Sequence, residues 1–254
     1  MKLHYQTSGS GQALVILHGL FGSSDNWRAL AKQLATRAQI ITVDLRNHGR
    51  SPHSSEQTYE LMADDLATLA RDLNLSTIDL IGHSVGGKVA MVFSQRYPEL
   101  LRKLVVVDIA PRAYDDEHSA IFKALLNLDL SLYSTRNELD KELSLSLPNK
   151  AVRQFLLMNL SVDNDELSWR INLPVLYDVY PKLLNKVCEG QQHSAPSCFI
   201  RGGRSNYIQE QDIAEIELSF PNSIIVTIPQ AGHWVHADAP EPFLNKIIEF
   251  FDYD

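Results

Sequence analysis

Along the chain, short runs of nearly continuous apolar residues alternate with longer stretches in which apolar side chains return every three or four positions. Residues 13–17, 39–45, 75–81, 104–109, 197–200 and 223–228 are of the first kind. Strands covered on both faces of a sheet read this way. Residues 27–36, 59–73, 88–97, 209–218 and 240–251 are of the second kind, with Leu61, Leu66, Leu69 and Leu73 on one helical stripe. Residues 2–7 alternate weakly and predict an edge strand, followed by a turn at Ser8-Gly9-Ser10-Gly11. Between residues 111 and 194 the alternation stops, and four helices without strands are expected, over 119–127, 138–145, 149–160 and 175–187. Strand–helix alternation predicts an α/β fold: a mostly parallel twisted sheet with helices on both faces. The interruption predicts an all-helical cap over the carboxyl edge of that sheet, where open α/β sheets bind ligands. Residues 1–110 and 195–254 would then form the core, and residues 111–194 the cap.

Composition narrows this picture. A chain of 254 residues suits one large domain or one domain with an insertion, and 44% hydrophobic with 21% charged residues is the balance of a globular protein. A formal net charge of −8 argues against nucleic acid or anionic membrane as partner. No apolar run reaches membrane-spanning length, and the first residues lack the apolar core of a signal peptide. Cys188 and Cys198 fit reduced thiols of a cytoplasmic protein, and neither has metal-site spacing, so no metal is expected.

The chemistry is concentrated where apolar runs end. Residues 78–87 read Ile-Asp-Leu-Ile-Gly-His-Ser-Val-Gly-Gly, a strand running into G-x-S-x-G. That pattern places Ser84 on a strained strand-to-helix turn, with glycines where a side chain would strike the neighbouring strand and helix. A serine hydroxyl needs a base, and the base an orienting acid. Ile228-Pro229-Gln230-Ala231-Gly232-His233-Trp234 offers His233 just past the last strand, with His236 as its rival. One common place for the acid is the loop after residues 197–200, but Arg201-Gly202-Gly203-Arg204-Ser205-Asn206-Tyr207-Ile208 carries no carboxylate. Asp108, closing Val105-Val106-Val107, is the candidate, since a carboxylate there is costly to bury without a partner. Asp44 also ends a strand but precedes Ser84, and is expected to tie down the loop from Arg46 to Ser51.

Donors for a developing oxyanion are expected from the backbone N–H of Val85 and from the loop His18-Gly19-Leu20-Phe21-Gly22, through Leu20 with Phe21 as alternative. His18 itself is expected to pack beneath the site rather than act in it. Phe21, Phe122, Phe155, Trp169, Tyr177 and Trp234 are candidates for lining an acyl pocket. Arg46, Arg50, Arg112 and Arg204 are loop cations that a phosphate-bearing leaving group could meet.

Taken together, His18-Gly19-Leu20-Phe21-Gly22-Ser23, Asp44-Leu45-Arg46-Asn47-His48-Gly49-Arg50-Ser51, Gly82-His83-Ser84-Val85-Gly86-Gly87, Val107-Asp108-Ile109-Ala110-Pro111 and Gly232-His233-Trp234 resemble the α/β-hydrolase superfamily. The Asp-Ile-Ala-Pro segment and Val152-Arg153-Gln154-Phe155-Leu156-Leu157 resemble its YbfF-type bacterial esterases more closely. The resemblance implies a cofactor-free serine esterase or thioesterase with Asp108 as acid, acting on small acyl esters or acyl-CoA, as a monomer or small homo-oligomer. An aspartate at the elbow would mark dehalogenases and epoxide hydrolases, and here the residue is Ser84. Carbon–carbon bond hydrolysis, perhydrolysis on the same residues, or slow-turnover ligand binding are the rival readings.

Overall fold

The apolar runs lie side by side in one sheet. The computed structural model describes residues 1–163 and 166–253; positions 164, 165 and 254, which fall within the expected cap and core ranges, lie outside the described residues. The strands are β1 (Tyr5–Ser8), β2 (Ala13–Leu17), β3 (Gln39–Val43), β4 (Ile78–His83), β5 (Leu101–Val107), β6 (Leu160–Asp163), β7 (Glu166–Trp169), β8 (Ser197–Gly202) and β9 (Ser223–Ile228). A seven-stranded sheet has the order β1-β3-β2-β4-β5-β8-β9. Only the edge strand β1 runs antiparallel to its neighbour.

The helices are α1 (Arg28–Leu34), α2 (Tyr59–Asp72), α3 (Val85–Arg96), α4 (Ser119–Leu126), α5 (Arg136–Leu143), α6 (Lys150–Leu157), α7 (Leu173–Leu183), α8 (Ile213–Ser219), α9 (Val235–Asp238) and α10 (Pro240–Phe251). Period-two alternation along each strand divides the core into two layers. Val15, Leu17, Leu104 and Val106 face the cluster built with Met62 and Leu66 of α2 and Val89 and Phe93 of α3. Leu14, Ile16, Val105 and Val107 face the cluster built with Leu30 and Leu34 of α1 and Phe243, Ile247 and Phe251 of α10. Both faces are thus sealed, which explains why the strands carry no polar alternation.

Parallel register sets the strand ends level. Leu17 pairs with Gly82, His83 with Val107, Val107 with Ile200, and Gly202 with Ile228. The turns after β2, β4, β5, β8 and β9 therefore open at one edge, the carboxyl edge expected to bind ligand.

The segment between β5 and β8 differs from the expectation in one respect. It is not all helical, because β6 and β7 form an antiparallel hairpin with Leu160 opposite Trp169 and Val162 opposite Leu167. Strict apolar–polar alternation over Leu160-Ser161-Val162 and Leu167-Ser168-Trp169 is the physical reason, since only a strand puts such residues on one face. Leu125, Leu139, Leu143, Leu156, Leu157 and Leu176 of this segment share a third buried cluster with Leu20 and Phe21 of the β2 loop. Polar ties reinforce the contact: the Asn159 amide donates to the Phe21 carbonyl at 2.7 Å, and the Tyr59 hydroxyl to the Leu183 carbonyl at 2.6 Å.

Candidate active site

β4 ends at His83 and α3 begins at Val85, so Ser84 alone reverses the chain. Its backbone adopts φ 53° and ψ −120°, a sparsely populated conformation that costs about 1–3 kcal/mol. The N–H groups of Gly87 and Lys88 bond back to the Ser84 carbonyl at 2.8 and 3.1 Å, locking the turn. A Cβ on Gly82 would stand 2.2 Å from the Gly86 carbonyl oxygen, and one on Gly86 would stand 2.5 Å from that of His18. Only glycine fits at either position, as the sequence pattern requires.

β5 delivers Asp108 in the same way, with φ 51° and no solvent exposure. Its carboxylate accepts from the Gly202 N–H at 3.0 Å, from His233 Nδ1 at 2.8 Å and from the Ser205 hydroxyl. The loop after β8 that lacks a carboxylate thus supplies a hydroxyl to the carboxylate arriving from β5. His233 is held from three sides. Asp108 fixes its Nδ1, His83 Nε2 donates to its backbone carbonyl at 2.9 Å, and the Tyr207 ring stacks on it at 3.8 Å. Ser84 and His233 line one groove, with the imidazole bonded to Asp108 rather than to the serine hydroxyl.

The surrounding imidazoles are kept neutral. Burial, then the proximity of His233, pushes His83 well below the usual histidine range. The same two causes bring His236 down to about 3 and lower His118. His236 lies flat against Trp27 at 4.0 Å, and its Nδ1 is buried without a partner. Among the described residues, His233 alone of the histidines pairs with a carboxylate.

The loop after β2 closes the site from the other side. The Gly22 N–H bonds to the Gly19 carbonyl at 2.9 Å, and Phe21 sits at φ 60°, an uncommon value for a bulky residue. His18 anchors this turn from below. It accepts from the Leu45 N–H through Nε2 at 3.0 Å and bonds the Gly19 carbonyl through Nδ1 at 2.8 Å, while burial holds its pKa low. Asp44 accepts from the N–H groups of Ser24 and Arg50 at 2.6 and 2.8 Å, and so ties down the following loop as expected. Val85, as the first residue of α3, has an N–H with no preceding helical turn to bond.

Two spaces meet at Ser84. A groove of about 820 Å³ is lined by Leu20, Phe21, His233, Trp234, Phe155 and Arg136. A cavity of about 40 Å³ on the other side is lined by Leu20, Val85, Lys88, Ile109 and four tyrosines, Tyr59, Tyr114, Tyr180 and Tyr207. Phe21, Phe155 and Trp234 therefore lie where a pocket was expected. Phe122, Trp169 and Tyr177 line neither space. Phe122 is fully buried between Phe21 and Tyr177, at 4.7 and 5.5 Å, and Trp169 packs half-buried in the same cluster, so all three hold the segment together. Three of the loop arginines are committed elsewhere: Arg46 pairs with Asp65 at 2.7 Å, Arg112 with Asp212 at 2.9 Å and Arg50 with Asp25 at 3.2 Å. Lys88 and Tyr207 carry no signal in the sequence, because a lysine inside an apolar helix and an aromatic residue in a loop have no telling spacing, whereas Ser205 marks the loop position where a carboxylate is missing.

A mostly parallel sheet whose elbow presents a serine beside a histidine–aspartate pair defines the hydrolases of the α/β class, and the chain belongs to the alpha/beta hydrolase fold family, which matches it over residues 12–240. Its curated relatives include esterases and lipases, and the protein is a hydrolase of the carboxylesterase type. A mouse protein named sn-1-specific diacylglycerol lipase ABHD11 is 40% identical over 246 residues, 94% of this chain and 80% of its own length. Esterase YbfF of Escherichia coli is 36% identical over 249 residues, 97% of this chain and 96% of its own. A solved structure described as a marine microorganism esterase superposes with a TM-score of 0.95 at 40% identity, covering 98% of this chain and 99% of that one. No helix among the described residues is long and apolar enough to cross a membrane.

Proposed function

We propose that the protein transfers acyl groups from carboxylic esters or acyl thioesters, acyl-CoA included, to water through Ser84, His233 and Asp108. His233 takes the Ser84 proton as Oγ attacks the carbonyl carbon. The oxyanion is held by the N–H groups of Val85 and Leu20. His233 then returns the proton to the leaving oxygen or sulfur, and water releases the acyl group from Ser84 by the same route. Asp108 holds the Nδ1 proton and stabilises the imidazolium, without itself being protonated. Residues 111–194 act as a cap that roofs the groove, and Cys188 and Cys198, both free and buried, fit the reducing conditions of the cytoplasm.

The observation that carries this reading is the Asp108–His233 bond at 2.8 Å in the wall of the groove that also exposes Ser84. The test is hydrolysis of simple esters by Ser84→Ala and Asp108→Asn. The first is expected to abolish turnover with the fold unchanged by circular dichroism, and the second to lower kcat by about four powers of ten. Normal turnover in Ser84→Ala would sink the proposal, and normal turnover in Asp108→Asn would move the acid elsewhere.

A further inference from the structure

The cavity on the far side of Ser84 contains a charge that the acyl-transfer chemistry does not use. Lys88 lies one helical turn beyond Ser84 on the same face of α3, and the residue is 1% exposed. An ammonium has three donors. One of them meets the Asn185 carbonyl at 2.6 Å, while the Tyr114 and Tyr59 rings stand 4.9 and 5.9 Å from Nζ. No carboxylate lies within ion-pair distance of it among the described residues, although buried lysines are almost always paired. Lacking that partner, and with Arg112 nearby, the buried amine is driven down to about 7.

The rest of the cavity is already satisfied. The hydroxyls of Tyr59, Tyr114 and Tyr207 donate to the Leu183 carbonyl, the Tyr207 carbonyl and Glu117, and that of Tyr180 accepts from the N–H groups of Glu117 and His118. Asp115 and Glu117 border the same space from exposed positions, whereas Lys88 closes its buried end. A space of about 40 Å³ holds about three waters, or four to five heavy atoms of a chain. The small space suits a short acyl group, and the larger groove is left for the other half of the substrate.

We infer that the cavity is the acyl subsite and that it takes short acyl groups ending in a carboxylate, with Lys88 as the counter-ion. The preferred substrates are then monoesters or thioesters of short dicarboxylic acids. This rests on the acyl-transfer reading above and adds to it the charge and length of the acyl half. Such a ligand supplies the acceptor that the unused Lys88 donors lack, and the Lys88 backbone lies one helical turn along α3 from Ser84.

Monobenzyl succinate and its uncharged isostere benzyl 4-methylpentanoate test this with the intact protein. The wild type is expected to cleave the first with kcat/KM about tenfold or more above the second, as a charge-assisted bond provides. Lys88→Met is expected to collapse that ratio at least tenfold. Succinate should inhibit the wild type competitively, and 4-methylpentanoate more weakly, a comparison that does not depend on any variant folding. Equal cleavage of both esters together with equal inhibition by both acids would overturn the carboxylate subsite and leave acyl transfer standing. Cleavage of neither ester, with no acyl substrate turned over, would overturn both.

Discussion

Ser84 and Asp108 each directly follow a strand and Phe21 lies in the loop after β2, all three with a left-handed backbone, at φ 53°, 51° and 60°. An aspartate tolerates this region through its short polar side chain, whereas a serine and a phenylalanine do so only where surrounding contacts impose it. Strain is thus stored in the turns that carry the proposed nucleophile, the proposed acid and the proposed oxyanion loop. Asp108 also depends on neighbours that do no chemistry. Its buried carboxylate needs the Gly202 N–H and the Ser205 hydroxyl as well as His233. Ser205→Ala is therefore expected to cost about 1–3 kcal/mol of stability, the penalty for a buried charge short of one donor. It should lower kcat by about tenfold or less, because the His233 bond survives. Urea titration and initial rates on one ester check both, and a loss of kcat as deep as that of Asp108→Asn would show the hydroxyl doing more than supporting the acid. At this scale the sequence exposed Ser84 and His233 because glycines mark their turns. It pointed to Asp108 because a carboxylate ending a three-valine run is costly to bury without a partner. Ser205 and Lys88 act through tertiary contacts over 97 positions, to Asp108 and Asn185 respectively, and Tyr207 acts by stacking on a histidine of another loop. Nothing in their local spacing records that.

At the scale of elements, the elbow works because β4, α3 and the β2 loop approach closer than side chains allow. Gly86→Ala would put a methyl 2.5 Å from the His18 carbonyl oxygen and 2.9 Å from the Leu17 backbone oxygen and Cβ. Backbone cannot yield as a flexible side chain can, so the β2 loop and α3 must move apart, and with them the N–H groups of Leu20 and Val85. The expected outcome is a loss of both stability, by about 2 kcal/mol or more, and kcat, by at least about a hundredfold. Gly232→Ala, whose methyl would meet only the Asp238 carboxylate at 3.1 Å, serves as the mild comparison. Thermal melts and ester kinetics on the two proteins decide it; equal effects would remove the close-approach argument. Elements with strong periodicity were the legible ones. β2, β9 and α10 begin and end at the residues the pattern marks, since uninterrupted apolar runs and an initial Pro240 leave no freedom. The β6–β7 hairpin was read through as helix end and loop, because four-residue strands on a small exposed ribbon give only two apolar positions each. The short helix α9, hidden between His233 and Pro240, gives fewer still.

Across the whole molecule, the histidines couple the fold to pH. His48 is buried and His236 half-buried, each with one buried ring nitrogen lacking a partner, and each is driven to about 3, chiefly by desolvation. His18 and His83 shift the same way for the same reason. For a base whose folded pKa is lowered, the unfolded chain binds the proton first on acidification. Between the unfolded value of about 6.5 and the folded value the unfolded state therefore carries more protons, and stability falls as pH falls, by at most about 1.4 kcal/mol per pH unit for each such group. Above pH 6.5 these rings are neutral in both states and contribute no slope. The protein is accordingly expected to hold its Tm from pH 8 to 7 and to lose it steeply from pH 6 to 4. His236→Phe keeps an aromatic ring on Trp27 while deleting one titrating site, so it should flatten that acid limb and leave Tm at pH 7.5 within a few degrees of the wild type. Melts of the two proteins at half-unit pH steps measure the difference directly. Parallel acid limbs would mean that His236 protonates in the folded state near its ordinary pKa, and that the rings packed around Trp27 are not held neutral by their surroundings.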